Sequence, residues 1–170
     1  VNAPAAIAGA KQAGTADFGP KAFDLTGDLV PAADEANVDG PTTTDGCTAY
    51  TNAGAVAGRI AVVDRGVCTF VVKAKNAQGA GAVGVLIVNN VAPGAPGMAG
   101  TDATVTIPVV SVSLADGAAI RAQLALPAYV SLRMARQGGV QRDGSLDNSL
   151  IAHEWGHYIS YRLIGDSNGL

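Results

Sequence analysis

Aromatic residues are scarce in this chain of 170 residues, at 5% of the sequence, although 48% of it is hydrophobic. The core must therefore be built mainly from Val, Ala, Ile and Leu. No apolar stretch reaches the roughly 20 residues of a membrane-spanning helix, and no basic run or stripe accompanies the net charge of −3. The sequence thus offers no sign of a nucleic-acid partner or of binding to a membrane.

Cysteine is also rare, with only Cys47 and Cys68 in the whole chain. Each lies beside a turn signal, Asp45-Gly46 and Arg65-Gly66, and no C-x-x-C pair is present. We expect a structural disulfide between them, which would place the protein in an oxidising compartment. The alternative is a pair of small buried thiols that never meet.

An initiator Met and a signal-peptide pattern are both missing, since the sequence starts at Val1. We therefore expect an internal piece of a longer precursor, in which case the missing signal says nothing about secretion.

Apolar runs separated by glycines predict the core elements. The run 59–65 is rich in β-branched residues and predicts a buried strand, and a helical spacing of apolar residues follows from Thr69. Further along, the pattern predicts strands over 82–90, 107–113 and 129–134, a surface loop over 91–104 and a helix from Gly117 to about Leu126. Strands alternating with helices indicate the α/β (α+β) class.

The first 58 residues are rich in Ala, Gly, Pro, Thr and Asp, and their periodicity is weak. Short strands are expected around 5–8 and 28–30. We expect this segment to supply edge strands and loops over a core formed later in the chain.

An H-E-x-x-H motif, His153-Glu154-Trp155-Gly156-His157, contains the only two histidines. Residues four apart share a face of a helix, so both imidazoles can reach one metal ion. Glu154 can then lie beside the metal and act as the catalytic base. We predict that His153 and His157 bind Zn²⁺ in a site that hydrolyses peptide bonds, where Glu154 takes a proton from the attacking water.

A catalytic zinc needs three protein ligands, and the sequence ends at Leu170 without an evident third. We expect the missing ligand, a His, Glu or Asp, in a following segment, so this piece alone should be inactive. The alternative is two unrelated histidines on a surface helix.

A polar, glycine-bearing stretch over 136–148 separates the core from this motif. We place a domain boundary near Gly138, dividing the chain into 1–137 and 138–170. Asp147 or Asn148 is expected to cap the helix that carries the motif.

Residues 58–70, GRIAVVDRGVCTF, together with 97–102, GMAGTD, and 107–110, IPVV, resemble the protease-associated (PA) domain. The resemblance covers about residues 1–135. It implies a compact β-sandwich or barrel-like sheet with two flanking helices. It also implies a role in binding a substrate or partner protein, or in controlling access to a protease cleft.

The tail is similar to the fungalysin family of secreted zinc metallopeptidases, through 143–148, DGSLDN, and 151–154, IAHE, followed by His157. In that family a PA domain can precede the zinc-binding helix. The resemblance implies that His153 and His157 are zinc ligands, that Glu154 is the base, and that a downstream glutamate completes the site. The family's usual Tyr-Thr is Trp155-Gly156 here, and Gly in a helix interior costs about 1 kcal/mol relative to Ala.

Two functions follow as hypotheses. The first is a PA domain joined to the start of a secreted, fungalysin-like metallopeptidase, whose partners are a peptide or protein substrate and the rest of the catalytic domain. The second is a non-catalytic protein-interaction module in which the H-E-x-x-H motif is vestigial or fortuitous. The oligomeric state is not predicted.

Overall fold

A computed structural model describes residues 1–127 and 129–137, and these form one compact unit. After a 3₁₀ turn at Ala5–Ile7, the strands and helices are β1 Ala13–Thr15, β2 Phe23–Pro31, α1 Ala53–Val56, β3 Ile60–Asp64, α2 Phe70–Gly79, β4 Gly84–Val88, β5 Val109–Val112, α3 Leu114–Leu124 and β6 Ser131–Arg136. The predicted mixed α/β class is confirmed. The predicted zinc-motif helix lies outside the described residues.

The strands form one six-stranded sheet in the order β1-β5-β4-β3-β2-β6. The four inner strands are parallel, and β1 and β6 are added antiparallel at the edges. The three consecutive apolar runs predicted as core strands are β3, β4 and β5, which pair side by side. Every residue of β4 and β5 is buried, as expected for parallel strands covered on both faces.

The sheet curls so strongly that its β2–β6 end lies over its own centre. A Cβ built on Gly84 in β4 would lie 2.9 Å from Leu25 Cδ2 in β2 and 3.3 Å from Met134 Sδ in β6. Gly84 therefore allows β6 to pack closely on β4, which agrees with the barrel-like sheet implied by the PA resemblance.

Two apolar clusters cover the two faces of the parallel strands. The first joins Val63 and Ile87 to Ala74 and Ala77 of α2. The second joins Leu86 and other strand residues to Ile120 of α3 and to the inward-facing residues of β6. Alternate residues of each strand point to opposite faces, so a single run such as β3 contributes to both clusters.

Helix α2 begins where the sequence predicts. The Thr69 side chain accepts a hydrogen bond from the Val72 backbone N–H at 3.3 Å, which is a standard N-cap contact. After the helix, Gly81 adopts φ +81°, a left-handed conformation that turns the chain into β4.

Helix α3 begins earlier than the predicted start at Gly117. Its cap is Ser113, whose Oγ accepts from the Asp116 backbone N–H at 3.1 Å. The sequence already holds this cap and the acidic residue three positions later. Gly117 is therefore an interior helix residue and not the first one.

The first 58 residues are more central than predicted. Residues 28–30 do form a strand, but they belong to the longer β2, which lies between β3 and β6 and is not an edge. Residues 5–7 form a 3₁₀ turn and not a strand, and the strand β1 was not predicted. These errors arise because β1 and β2 are fixed by pairing with distant strands and not by their own weak periodicity.

Among the described residues, no helix is both long and apolar enough to cross a membrane.

Candidate functional site

The predicted zinc site cannot be compared with the structure, because His153, Glu154 and His157 lie outside the described residues. Their roles as ligands and base stay predictions. Within residues 1–127 and 129–137, no group of three or more His, Cys, Asp and Glu side chains is placed to hold a metal ion.

The predicted disulfide between Cys47 and Cys68 is present, with an S–S distance of 2.06 Å and a Cα–Cα distance of 5.7 Å. It joins the loop before α1 to the loop between β3 and α2. The disulfide therefore holds the loop between β3 and α2 against the loop that contains Cys47.

Lys73 of α2 lies under this disulfide and is fully buried. Its ammonium donates a short hydrogen bond to the Asp45 carbonyl oxygen, and it lies 3.5 Å from Cys47 Sγ. Burial lowers the pKa of Lys73, while the carboxylates of Asp45, Asp34 and Asp64 oppose that shift. A buried charge needs hydrogen-bond acceptors, and here the Asp45 carbonyl and Cys47 Sγ lie within reach of the ammonium.

Asp45 organises the loop from which it comes. Its Oδ2 accepts from the Thr42 backbone N–H at 3.0 Å and from the Thr42 hydroxyl at 2.9 Å, and its Oδ1 accepts from the Cys47 N–H at 3.1 Å. Burial by itself would raise the pKa of Asp45. The hydrogen bonds and the nearby Lys73 ammonium outweigh burial and bring that pKa below its ordinary value.

Sequence analysis did not identify Lys73 as a buried residue, although a signal was present. Phe70, Ala74 and Ala77 define the apolar face of α2, and Lys73 falls between them at helical spacing. A lysine on an apolar helix face indicates either an error in the pattern or a paired interior charge, and here it is the second.

Two buried polar atoms beside this cluster have no hydrogen-bond partner among the described residues, Asp34 Oδ1 and the Tyr50 hydroxyl. The other oxygen of Asp34 accepts from the Thr48 N–H at 3.1 Å. Burial, and after it the Asp34 carboxylate, raises the pKa of Tyr50 far above its ordinary range.

Charged side chains also meet at the carboxyl ends of the parallel strands. Asp64, at the end of β3, pairs with Arg121 of α3 at 2.5 Å and accepts from the Thr44 hydroxyl at 2.7 Å. The next residue, Arg65, donates to Asn89 Oδ1 at 3.0 Å. The partner of Asp64 comes from a helix far along the chain, which the sequence alone does not reveal. These contacts hold loops to the sheet.

A cavity of about 440 Å³ lies beside the outer edge of β6, and we call it the β6 cavity. Its lining residues come from the N-terminal segment, β1, β4, β5 and β6, and they are Val1, Asn2, Gly9, Ala10, Lys11, Ala13, Leu86, Val110, Val112, Leu132, Arg133, Met134 and Ala135. The lining is mainly apolar, and its charged side chains, Lys11 and Arg133, are both cationic.

Comparison with known sequences gives the chain a family context. The profile of the PA domain matches residues 25–120, more than half of the chain. Aminopeptidase YwaD from Bacillus subtilis is 34% identical over 110 residues, which cover 61% of this chain and 24% of that protein. An aminopeptidase from Pseudomonas aeruginosa is 46% identical over 69 residues, which cover 41% of this chain and 13% of that protein.

A different kind of protein also matches. The human ER degradation-enhancing alpha-mannosidase-like protein 3 is 46% identical over 46 residues, covering 27% of this chain and 5% of that protein. This chain thus spans at most about a quarter of the length of these relatives.

Solved structures give the same fold. An aminopeptidase from Aneurinibacillus sp. strain AM-1 superposes with a TM-score of 0.57 at 22% identity, covering 75% of this chain and 28% of that one. A zinc aminopeptidase from Bacillus subtilis superposes with a TM-score of 0.52 at 25% identity, again covering 75% and 28%. At 22% identity, the similarity to the Aneurinibacillus aminopeptidase is evidence for the fold alone.

Proposed function

The chain belongs to the PA domain family, and from that premise we propose that it is the accessory domain of a secreted zinc metallopeptidase, followed by the start of the catalytic domain. The observation that carries the proposal is a PA domain followed in the same chain by H-E-x-x-H, at 153–157. Both bacterial relatives reported above are named aminopeptidases, and one of the similar structures reported above is that of a zinc aminopeptidase.

In this proposal the described domain binds a peptide or partner protein, or controls access to the cleft, and the chemistry belongs to the segment after it. His153 and His157 would hold the zinc ion, which supplies Lewis-acid polarisation of the peptide carbonyl when bound. Glu154 would take and return the proton. The remaining ligand would come from a part of the parent protein beyond this chain.

Two observations favour different classes of parent enzyme. The tail around H-E-x-x-H resembles the fungalysin family, which favours an endopeptidase. The names of the matched relatives favour an aminopeptidase. We retain the endopeptidase as the first proposal because H-E-x-x-H lies in the chain itself, whereas the family match ends at residue 120.

Secretion is part of the proposal and is supported by the Cys47–Cys68 disulfide. Disulfides persist in oxidising compartments and are rare in the cytosol.

The test uses the full-length parent and the 170-residue chain side by side. We expect the parent to bind one zinc ion and to hydrolyse casein, and Glu154→Gln to abolish hydrolysis while leaving zinc binding unchanged. The 170-residue chain should show no hydrolysis. Activity against an aminoacyl p-nitroanilide, with none against casein, would replace the endopeptidase by the aminopeptidase.

A non-catalytic interaction module is the second candidate. It is favoured by the match to an alpha-mannosidase-like protein, since a related segment there belongs to a protein not named as a peptidase. A parent that binds no zinc and hydrolyses neither substrate would support this candidate and refute the first.

A further inference from the structure

The outer edge of β6 offers backbone hydrogen-bonding groups. In the antiparallel pair of β2 and β6, the Leu29 N–H donates to the Val130 carbonyl at 2.8 Å, and Leu29 lies opposite Val130 in the extended register. Hydrogen-bonded pairs alternate along an antiparallel ladder. Leu132 and Met134 therefore bond to β2, whereas the N–H and C=O groups of Arg133 and Ala135 point away from it.

The same alternation is visible at the start of β6. The backbone N–H and C=O groups of Ser131 also point away from β2. They exchange hydrogen bonds with the backbone of Ala3 at 3.2 and 3.3 Å. Ala3 thus occupies the position of one residue of an added antiparallel strand. At Val1 the segment leaves this edge, because its carbonyl accepts from the Gly9 N–H at 3.0 Å. Among the described residues, nothing bonds to the outward backbone groups of Arg133 and Ala135.

Val1 and Asn2, the two residues before Ala3, line the β6 cavity. Arg133 and Ala135 form part of its wall, and Ala13 of β1 forms another part. Leu86, Val110 and other apolar side chains line it. An extended backbone placed on the β6 edge would therefore have an apolar space beside it, large enough for a side chain.

The charges around the cavity select the occupant further. Its charged lining side chains are cationic, namely Lys11 and Arg133. Each already contacts one carboxylate, Lys11 that of Asp116 at 3.4 Å and Arg133 that of Asp24 at 2.6 Å. An ammonium has three donors and a guanidinium has five, so both retain capacity for a further anion.

We propose that the β6 edge and the β6 cavity together bind an extended peptide segment that adds as a strand to β6. The segment places an apolar side chain in the cavity and a carboxylate near Lys11 and Arg133. Strand addition is a general mode of peptide recognition in which backbone hydrogen bonds provide affinity and a pocket provides selectivity. The inference rests on the proposed function only in taking a peptide as the partner.

The binding experiment uses the 170-residue chain and the peptide acetyl-Val-Leu-Val-Glu-amide. Binding is measured by calorimetry and by the amide chemical shifts of the protein. We expect saturable binding, with the largest shifts at Arg133 and Ala135. Methylation of the central Leu nitrogen should weaken binding about threefold to tenfold, the loss expected for one hydrogen bond. Replacing the peptide Glu with Lys should weaken it as well.

Protein variants locate the site. Ala135→Pro removes an N–H that points outward, and proline is tolerated at such edge positions. Ala13→Leu adds a side chain at the cavity wall. We expect each variant to weaken binding at least about fivefold, whereas Ala55→Leu, the same enlargement at an exposed position of α1, should leave it unchanged.

The outcomes are distinguishable. Equal affinity in all variants would place the peptide elsewhere, overturning this site while leaving the proposed function intact. No binding at millimolar peptide would also overturn it. The chain could also self-associate through this edge. If Ala135→Pro abolished that self-association and the peptide did not compete with it, the occupant of the site would be a second copy of the chain and not a peptide. The proposed function is tested separately, by zinc binding and casein hydrolysis in the full-length parent.

Discussion

Lys73 carries its ammonium into a site with no exposure to solvent, where the Asp45 carbonyl accepts from it and Cys47 Sγ lies 3.5 Å away. Lys73→Met keeps the length of the side chain but leaves that carbonyl and the Asp45 carboxylate without their cation. We expect the free energy of unfolding in urea to fall by about 2–4 kcal/mol.

Lys75→Met is the matched control for Lys73→Met on the same helix. The Lys75 side chain is 51% exposed and pairs with Asp102 at 3.2 Å. Exposed ion pairs contribute little, so a loss of no more than about 1 kcal/mol is expected. Equal losses for both variants would show that the burial of Lys73 has no energetic consequence.

Asp102 provides a pH-dependent test at a single residue. Its Oδ1 accepts from the Thr104 hydroxyl at 2.6 Å and from the Thr104 N–H at 2.8 Å. These bonds, and then Lys75, lower the pKa of Asp102 from 3.8 to about 2. Stability from this carboxylate is therefore complete above pH 3.8 and is lost as the pH falls towards about 2.

Thr104→Val removes the hydroxyl and keeps the N–H, so the pKa of Asp102 should rise towards 3.8, as measured by carboxyl carbon shifts in an NMR titration. Thr106→Val is the control, because the Thr106 hydroxyl bonds to Gln78 instead. The interpretation fails if Thr106→Val moves the pKa of Asp102 as far as Thr104→Val does.

At the scale of the element, local chemistry determined what the sequence could predict. The β-branched run of β3, the glycines around it and the Thr69 cap of α2 are readable without any partner, and these elements were located to within a residue or two. β1 and most of β2 were missed because their identity comes from pairing with β5, β3 and β6. Long-range pairing overrides weak local periodicity.

The contact between α3 and β4 yields a prediction whose sign opposes helix propensity. Ala is preferred over Gly inside a helix by about 1 kcal/mol. A Cβ on Gly117, however, would lie 2.1 Å from Val88 Cγ1. Overpacking of this kind costs about 1–3 kcal/mol, so Gly117→Ala should lower the urea unfolding free energy.

Gly79→Ala, at the end of α2, is the paired variant for Gly117→Ala. A Cβ there would meet nothing within 4 Å. We therefore expect the unfolding free energy to be unchanged or to rise by up to about 1 kcal/mol. A gain in stability from both substitutions would show that α3 is not held against Val88 as closely as the distances imply.

For the whole molecule, the sequence predicts the fold better than it predicts the candidate zinc site. The PA resemblance predicted a compact α/β domain, and the family match over 25–120 confirms it. The H-E-x-x-H motif needs a further ligand for catalysis. Spacing and composition do not identify that ligand, and His153, Glu154 and His157 lie outside the described residues, so the zinc site stays a prediction.

The domain boundary near Gly138 is also a prediction, and truncation tests it directly. Both apolar clusters and all six strands of the sheet lie within residues 1–137. A chain ending at Gln137 should therefore unfold cooperatively in urea with the disulfide intact. Its free energy of unfolding should lie within about 1 kcal/mol of that of the 170-residue chain.

The matched control ends at Tyr129 and removes β6, whose Leu132 and Met134 are buried in the core. That variant should lose several kcal/mol or fail to fold. If truncation at Gln137 were as damaging as truncation at Tyr129, residues 138–170 would belong to the same folding unit, and the two-domain division would be wrong.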